Sequence, residues 1–380
     1  MKNAYRIFLV ESLTLQKGSL MYAYPCLTVN LDSIRHNTRT MVDLCLQNGV
    51  EPAGVTKLAC ASPEIAQAMV ESGISLLADS RLINLQRLEG LPVRKMLLRL
   101  PALSEVEAVV QFAQVSLNSE ETTLKALSRV ACQLGVTHGV IVMHDLGDLR
   151  EGCFFEEETL HLARTVTELP GLHLEGIGAN LACYGGVEPT TDNQTELAAI
   201  ANRIEEALDV QLNVISGASS AGLFLMLRGG LPKAVNQLRL GASLLMGIGF
   251  NDDPVPGTCQ SAFSLQCEII EVKLKPSVPA DSTALDAFGN KPVFVDRGIR
   301  RRAICAIGKQ DIDINQITPR DSGILVIGGS SDHLILDITD ASKTHNVGDI
   351  IEFEISYSGV LQCMTSEYVV KRCVSSDKHN

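Results

Sequence analysis

The chain has no Cys-x-x-Cys pair and no cysteine–histidine spacing of the zinc-site kind, although it carries 11 cysteines. An odd number without such pairs indicates neither a disulfide framework nor a structural zinc, and the thiols read as free, as in a reducing cytoplasm. Long apolar runs are missing too. The N-terminal stretch offers only Ile7 to Val10 before Glu11 interrupts it, which is too short for the apolar part of a secretory signal, and no window approaches the roughly 18 residues of a membrane span. Positive charge is scarce: 32 Lys and Arg stand against 44 Asp and Glu, a formal net charge of −12. That field repels phosphate backbones and anionic lipid surfaces, so neither nucleic acid nor a membrane is an expected partner. Finally, no Gly-x-Gly-x-x-Gly follows the first strand-like run, which counts against a doubly wound dinucleotide fold.

What is present is a chain of 380 residues, 46% apolar and 20% charged. It is apolar enough to build a sizeable core and too long for one small module. From residue 50, short β-rich runs alternate with segments of helical period. The strand-like runs are 52–57, 75–80, 95–100, 114–119, 139–145, 172–180, 211–217 and 234–241, and the intervening helical segments include 62–73, 104–113, 120–135, 156–169 and 193–208. This pattern predicts the α/β class, a (β/α)8 barrel. After Pro254-Val255-Pro256-Gly257 the texture changes to β-branched runs separated by turn clusters, which predicts a second, C-terminal all-β domain. The run CLTVNL at 26–31 has the same alternating character and is expected to pair with that domain. The expected division is therefore an N-terminal extension over 1–23, a barrel over 32–250, and a β domain made of 24–31 plus 251–380.

In such a barrel, reactive groups sit at the C-terminal ends of the strands and phosphate groups bind after the last two. Lys57 ends the first strand, and a lysine amine at a barrel mouth can form a Schiff base. Strand seven runs into Ser216-Gly217-Ala218-Ser219-Ser220-Ala221-Gly222, a small-residue turn whose N–H groups and hydroxyls suit a phosphate. Strand eight carries Arg239, a charge inside an apolar strand that must have a partner. Singly, these read equally well as a surface lysine, a capping turn and a structural ion pair. Together they describe a phosphorylated cofactor that reacts with an amine.

The stretches AGVTKLACASPEIAQAMVESG, LLADSRLINL, HDLGDLREG, GIGANLACYGG, VISGASSAG, NQLRLGASLLMG, RAICAIGKQDID and SSDHLILDITD run in order through most of residues 24–370. In them the chain resembles the fold-type III pyridoxal-phosphate enzymes of the alanine racemase superfamily, and within it the alanine/ornithine racemase branch. The resemblance implies pyridoxal 5'-phosphate as cofactor. It implies that Lys57 is the lysine that holds the cofactor and a catalytic base, that Arg239 donates to the pyridine nitrogen, and that Ser219 and Ser220 belong to the phosphate turn. Asn180 falls where the superfamily has a histidine near the cofactor, and Arg150 matches an arginine near the cofactor hydroxyl and the substrate carboxylate. No metal ligands are expected. A homodimer with shared active sites is implied, because the β domain in this family reaches the barrel mouth of the other subunit.

The chain also departs from the pattern. The second base of alanine racemases is a tyrosine in a Tyr-Gly pair, represented here by Phe288-Gly289. Met143 and Ala61 stand for a lysine and a further tyrosine, and Ala218 and Ala242 replace the Asn and Glu of the ornithine-racemase branch. Without the tyrosine, the segments 308–311 and 330–333 offer Asp311, Asp332 and His333 for the second face. His333 is the expected second base, since imidazole exchanges protons most readily near neutrality, and the aspartates would suit a substrate ammonium. The function implied is racemisation of an amino acid, with ornithine or another small or basic amino acid as substrate. The alternatives are another fold-type III reaction, decarboxylation or aldol cleavage, and a non-catalytic pyridoxal-phosphate-binding homologue.

Overall fold

The computed structural model describes residues 23–286 and 288–376, so the expected N-terminal extension lies outside the described residues apart from Ala23. The described chain opens with β1 (Cys26–Asn30), whose last residue starts helix α1 (Leu31–Gln47). The Asn30 side-chain oxygen accepts from the N–H groups of Asp32 at 3.0 Å and Ser33 at 3.1 Å, which satisfies donors that a helix start leaves free.

Eight strand–helix units follow: β2 (Glu51–Val55) and α2 (Pro63–Glu71), β3 (Leu76–Asp79) and α3 (Leu82–Arg87), β4 (Arg94–Leu97) and α4 (Val106–Phe112), β5 (Val115–Asn118) and α5 (Glu121–Leu134). Then come β6 (His138–Met143) and α6 (Glu156–Glu168), β7 (Leu172–Gly178) and α7 (Thr191–Leu208), β8 (Val214–Ser219) and α8 (Leu223–Leu227), β9 (Gln237–Leu240) and α9 (Ala242–Met246). Each strand pairs in parallel with the next, and β9 returns to β2, so the sheet closes into a barrel. The eight strand-like runs of the sequence are these eight strands. β3, β5 and β6 are buried along their whole length, because side chains on one face fill the barrel and those on the other meet helices. Ala53, Val55, Ala78, Met96, Leu117 and Met143 belong to the interior cluster. Gly176 marks a close approach in β7: a Cβ there would collide with the carbonyl of Val214 on β8.

The remaining strands are β10 (Phe263–Pro276), β11 (Ile299–Cys305), β12 (Ile317–Pro319), β13 (Leu325–Gly329), β14 (Leu334–Asp337), β15 (Ile350–Ile355) and β16 (Val370–Val374). They form a separate sheet of order β12-β15-β10-β11-β14-β13, antiparallel throughout. β1 joins it, antiparallel to β10 and parallel to β16. One buried cluster runs from Ile34 and Leu58 on the barrel side to Phe353 and Val360 on the sheet side. A helix the sequence reading lacked, α10 (Tyr357–Thr365), interrupts the β-rich region and packs on the turn at Lys57–Ala59. Its signals are local and ordinary: Ser356 accepts from the N–H of Gly359 at 3.3 Å, and Val360, Cys363 and Met364 are the buried stripe. Among the described residues no helix is long and apolar enough to cross a membrane.

Candidate active site

A cavity of about 820 Å³ opens at the C-terminal ends of the barrel strands, and it gathers Lys57, Arg150, Asn180, Ser219, Ser220 and Arg239. His333 is not on it. That residue lies half-buried on the turn between β13 and β14, where its Nδ1 sits 2.7 Å from the Asp332 carboxylate. Asp311 is buried within the sheet region and accepts from the Ser366 hydroxyl at 2.7 Å. Phe288 is also outside the cavity, under the Lys309 ammonium, which lies 4.3 Å from its ring centroid.

Lys57 begins a single turn of helix immediately beyond β2. The turn is anchored by the residue before it: Thr56 is buried, and its hydroxyl donates to Asp79 at the end of β3, 2.7 Å away. Asp79 also accepts from the Asn84 amide at 3.0 Å and the Arg81 N–H at 2.9 Å. Burial pushes the Asp79 carboxyl up, and these donors oppose that shift only in part. The chain leaves the turn through Cys60 and Ala61, both left-handed at φ 47° and 51°, a conformation costly for side chains with a Cβ. Lys57 Nζ itself makes no hydrogen bond or ion pair with a described residue, so the amine is free to react.

Arg239 is 3% exposed, and every partner it has in this structure is a neutral oxygen. One terminal nitrogen donates to the Ser216 carbonyl at 3.1 Å and to the Ser216 hydroxyl; the other donates to the Ala179 carbonyl at 2.6 Å and to Asn180 Oδ1 at 2.7 Å. Burial lowers its pKa to about 10, which still leaves it a cation at neutral pH. The Nε–H has no partner among the described residues, and the side chain borders the cavity. A side chain that can only donate thus keeps one N–H without a partner among the described residues beside the cavity.

The loop after β6 supplies the counter-charge. Glu151, with a side chain 14% exposed, receives both Nε and a terminal nitrogen of Arg150, the latter at 2.7 Å, and also the Asn180 amide. Asn180 thus joins Glu151 to Arg239, and this link was not visible in the sequence. Asp148 fixes the facing loop by accepting from the N–H groups of Tyr184 at 2.9 Å, Cys183 at 3.2 Å and Val187 at 3.2 Å. Burial alone would raise that carboxyl; the backbone donors outweigh it and hold it below its usual value.

The turn after β8 divides its serines between two tasks. Ser220 is buried and stitches the turn to α9, with its hydroxyl 3.1 Å from that of Ser243 and accepting from the Gly241 N–H at 3.3 Å. Ser219 is half-buried and borders the cavity beside Ala221. From outside the barrel, Tyr357 at the start of α10 reaches the same cavity, and burial raises its phenol, so it stays a hydrogen-bond donor at neutral pH. The turn 249–252 completes the rim, with Asn251 and Asp252 both left-handed at φ 53° and 61°.

An amine beyond one strand end, a buried cationic donor on the neighbouring strand and a hydroxyl-bearing turn between barrel and helix fit a ring that carries a carbonyl, an acceptor nitrogen and a phosphate. The fold and this site define a barrel enzyme of the two-part kind, in which α10 of the β-rich region brings Tyr357 to the mouth. The profile of the alanine racemase N-terminal domain matches residues 29–248. The chain is 42% identical over 350 residues to the ornithine racemase of Acetoanaerobium sticklandii, covering 92% of this chain and 99% of that one. It is 38% identical over 351 residues to the lysine racemase of Thermotoga maritima, covering 92% and 98%. Among solved structures it superposes on an alanine racemase of Clostridium difficile with a TM-score of 0.73 at 20% identity, over 93% of this chain and 96% of that one. The chain belongs to the alanine racemase superfamily, in the ornithine racemase branch.

Proposed function

We propose that this amino-acid racemase holds pyridoxal 5'-phosphate on Lys57 and interconverts the L- and D-forms of a basic amino acid, ornithine foremost. The observation that carries the reading is the single cavity shared by Lys57, Arg239 and Ser219 at the ends of β2, β9 and β8. The relatives of 42% and 38% identity are racemases of ornithine and lysine, which disfavours decarboxylation and aldol cleavage. When bound, the cofactor supplies an electron sink for the charge left at the α-carbon. Ser219 and the N–H groups of its turn hold the phosphate, Arg150 meets the substrate carboxylate, and Tyr357 donates from the sheet side. Arg239, a permanent donor at neutral pH, keeps the ring nitrogen unprotonated and so weakens the sink, which suits an enzyme that must return a proton rather than lose another group.

Lys57 removes or returns the α-proton on one face. For the other face the reading keeps His333, delivered from a second subunit in a homodimer, since its own chain's cavity does not contain it. Asp332 pairs with it through Nδ1 and leaves Nε2 to exchange the proton. A cytoplasmic setting suits the 11 cysteines, which form no Cys-x-x-Cys pair. The test is α-hydrogen exchange in D2O with both enantiomers of a panel of amino acids. Exchange with inversion for ornithine supports the proposal; exchange without inversion, or silence with every amino acid, overturns it.

A further inference from the structure

Two carboxylates line the cavity, and they differ in their partners. Glu151 stands beside Arg150 and is fully engaged: one oxygen receives the Arg150 terminal nitrogen and the Asn180 amide, the other the Arg150 Nε. Asp252 stands on the turn that packs against the Ser220–Gly222 turn, and its carboxylate makes no hydrogen bond or ion pair with a described residue. It is close enough to Tyr357 for its charge to act on that phenol. Asp252 also occupies an uncommon backbone conformation, second in a left-handed pair with Asn251.

We propose that Asp252 is the residue that reads the distal ammonium of the substrate, which makes this site selective for an amino acid with a basic side chain. The inference rests on the racemase reading above and adds to it the residue that sets the substrate class. Arg150, Tyr357 and Asp252 line one cavity, so an amino acid whose carboxylate meets Arg150 has Tyr357 and Asp252 among the groups its side chain can meet. Of the cavity cations, Arg150 is engaged by Glu151, Arg239 by its four oxygen acceptors and Arg99 by Glu105 at 3.4 Å, while Lys57 is the residue given to the cofactor in the racemase reading. Asp252 is exposed at the rim, and a carboxylate there without a partner among the described residues favours a cation beside it. Glu151 cannot take this part without releasing Arg150.

The test uses apoprotein and two stable probes, the reduced phosphopyridoxyl adducts of ornithine and of norvaline, which share every atom of the cofactor and differ at the side-chain end. Calorimetry reads their affinities for the wild type and for Asp252→Asn, a substitution that keeps shape and tolerates the left-handed backbone. The wild type is expected to prefer the ornithine adduct by roughly two- to fivefold, the range of an ion pair at an exposed position. In Asp252→Asn that preference should collapse to about one. Equal binding of both adducts by the wild type, or a preference that survives in Asp252→Asn, overturns the inference while leaving the cofactor reading intact. Failure of both adducts to bind the wild type overturns the cofactor reading itself.

Discussion

The two ends of the barrel treat an arginine in opposite ways. At the N-terminal end, Arg94 on β4 reaches across to Glu175 on β7 and makes a forked pair at 2.8 and 3.0 Å. Beside it, His138 shares a hydrogen bond of 2.7 Å with the Ser116 hydroxyl, and burial lowers its pKa to about 4. At the C-terminal end, Arg239 is more deeply buried than Arg94 yet has only neutral oxygens around it, and the nearest carboxylate, Glu151, reaches it through Asn180. The closed pair cancels its own charge and holds strands together. The open arrangement keeps a net positive field inside the mouth, where an anionic cofactor and a carboxylate substrate would arrive. Charge that is neutralised stabilises; charge left without a counter-ion is the mark of a binding site.

The comparison can be broken from the mouth end first. Lys57→Ala should abolish racemisation, a loss of on the order of a thousandfold or more for a nucleophile and base. It should also remove the borohydride-fixed cofactor adduct detected by mass spectrometry, with the urea midpoint unchanged. Arg239→Glu places a carboxylate where only a donor stood. We expect racemisation roughly a hundred- to a thousandfold slower, the range for losing one aimed donor, together with a new long-wavelength absorbance band in the presence of substrate. An unchanged spectrum and rate would make Arg239 a purely structural cation like Arg94.

The N-terminal end should respond in stability and not in chemistry. His138 has a folded pKa below its free value, so the unfolded chain takes up the proton first as pH falls. Its contribution is complete above the free value of 6.5 and is lost as pH drops toward about 4. The loss is at most about 3 kcal/mol. Urea midpoints measured across that window should fall less in His138→Gln than in the wild type, and parallel curves would dismiss the histidine as the cause. The smallest effect is expected for Glu175→Ala. It leaves Arg94 without its partner, but the Arg94 side chain is 53% exposed and water compensates much of the loss. About 1–3 kcal/mol of stability should go, with KM for the amino acid unaltered. A raised KM would show that the two ends of the barrel are coupled.

Much of the barrel was legible because its signals are local. A parallel barrel strand is short, apolar and followed by a segment of helical period, and each of those features is contained in a single window. The fold also ties the ends of strands to the site, so Lys57, Ser219 and Arg239 could be picked out as strand-end residues before any contact was known. α10 escaped because a β-rich neighbourhood masked nine residues of ordinary helix, YSGVLQCMT, and α3 because LINLQR is too short to display a period. Glu151 escaped for another reason: its neighbour Arg150 drew the attention, and nothing in the stretch REG indicates that the glutamate turns back to fork that arginine.

By itself, then, the amino-acid sequence determined the eight strand–helix units, the change of texture after Pro254 and the chemical types that stand at the strand ends. Only the tertiary structure decided which of those groups meet. Asn180 bridges Glu151 and Arg239, Tyr357 joins the cavity that Lys57 lines, Asp252 has no hydrogen bond or ion pair with a described residue, and His333 lies outside its own chain's cavity. The physical reason is that backbone periodicity is set by neighbours a few residues apart. Whether a charge is neutralised depends on side chains that closure of the barrel and docking of the sheet bring together from distant parts of the chain.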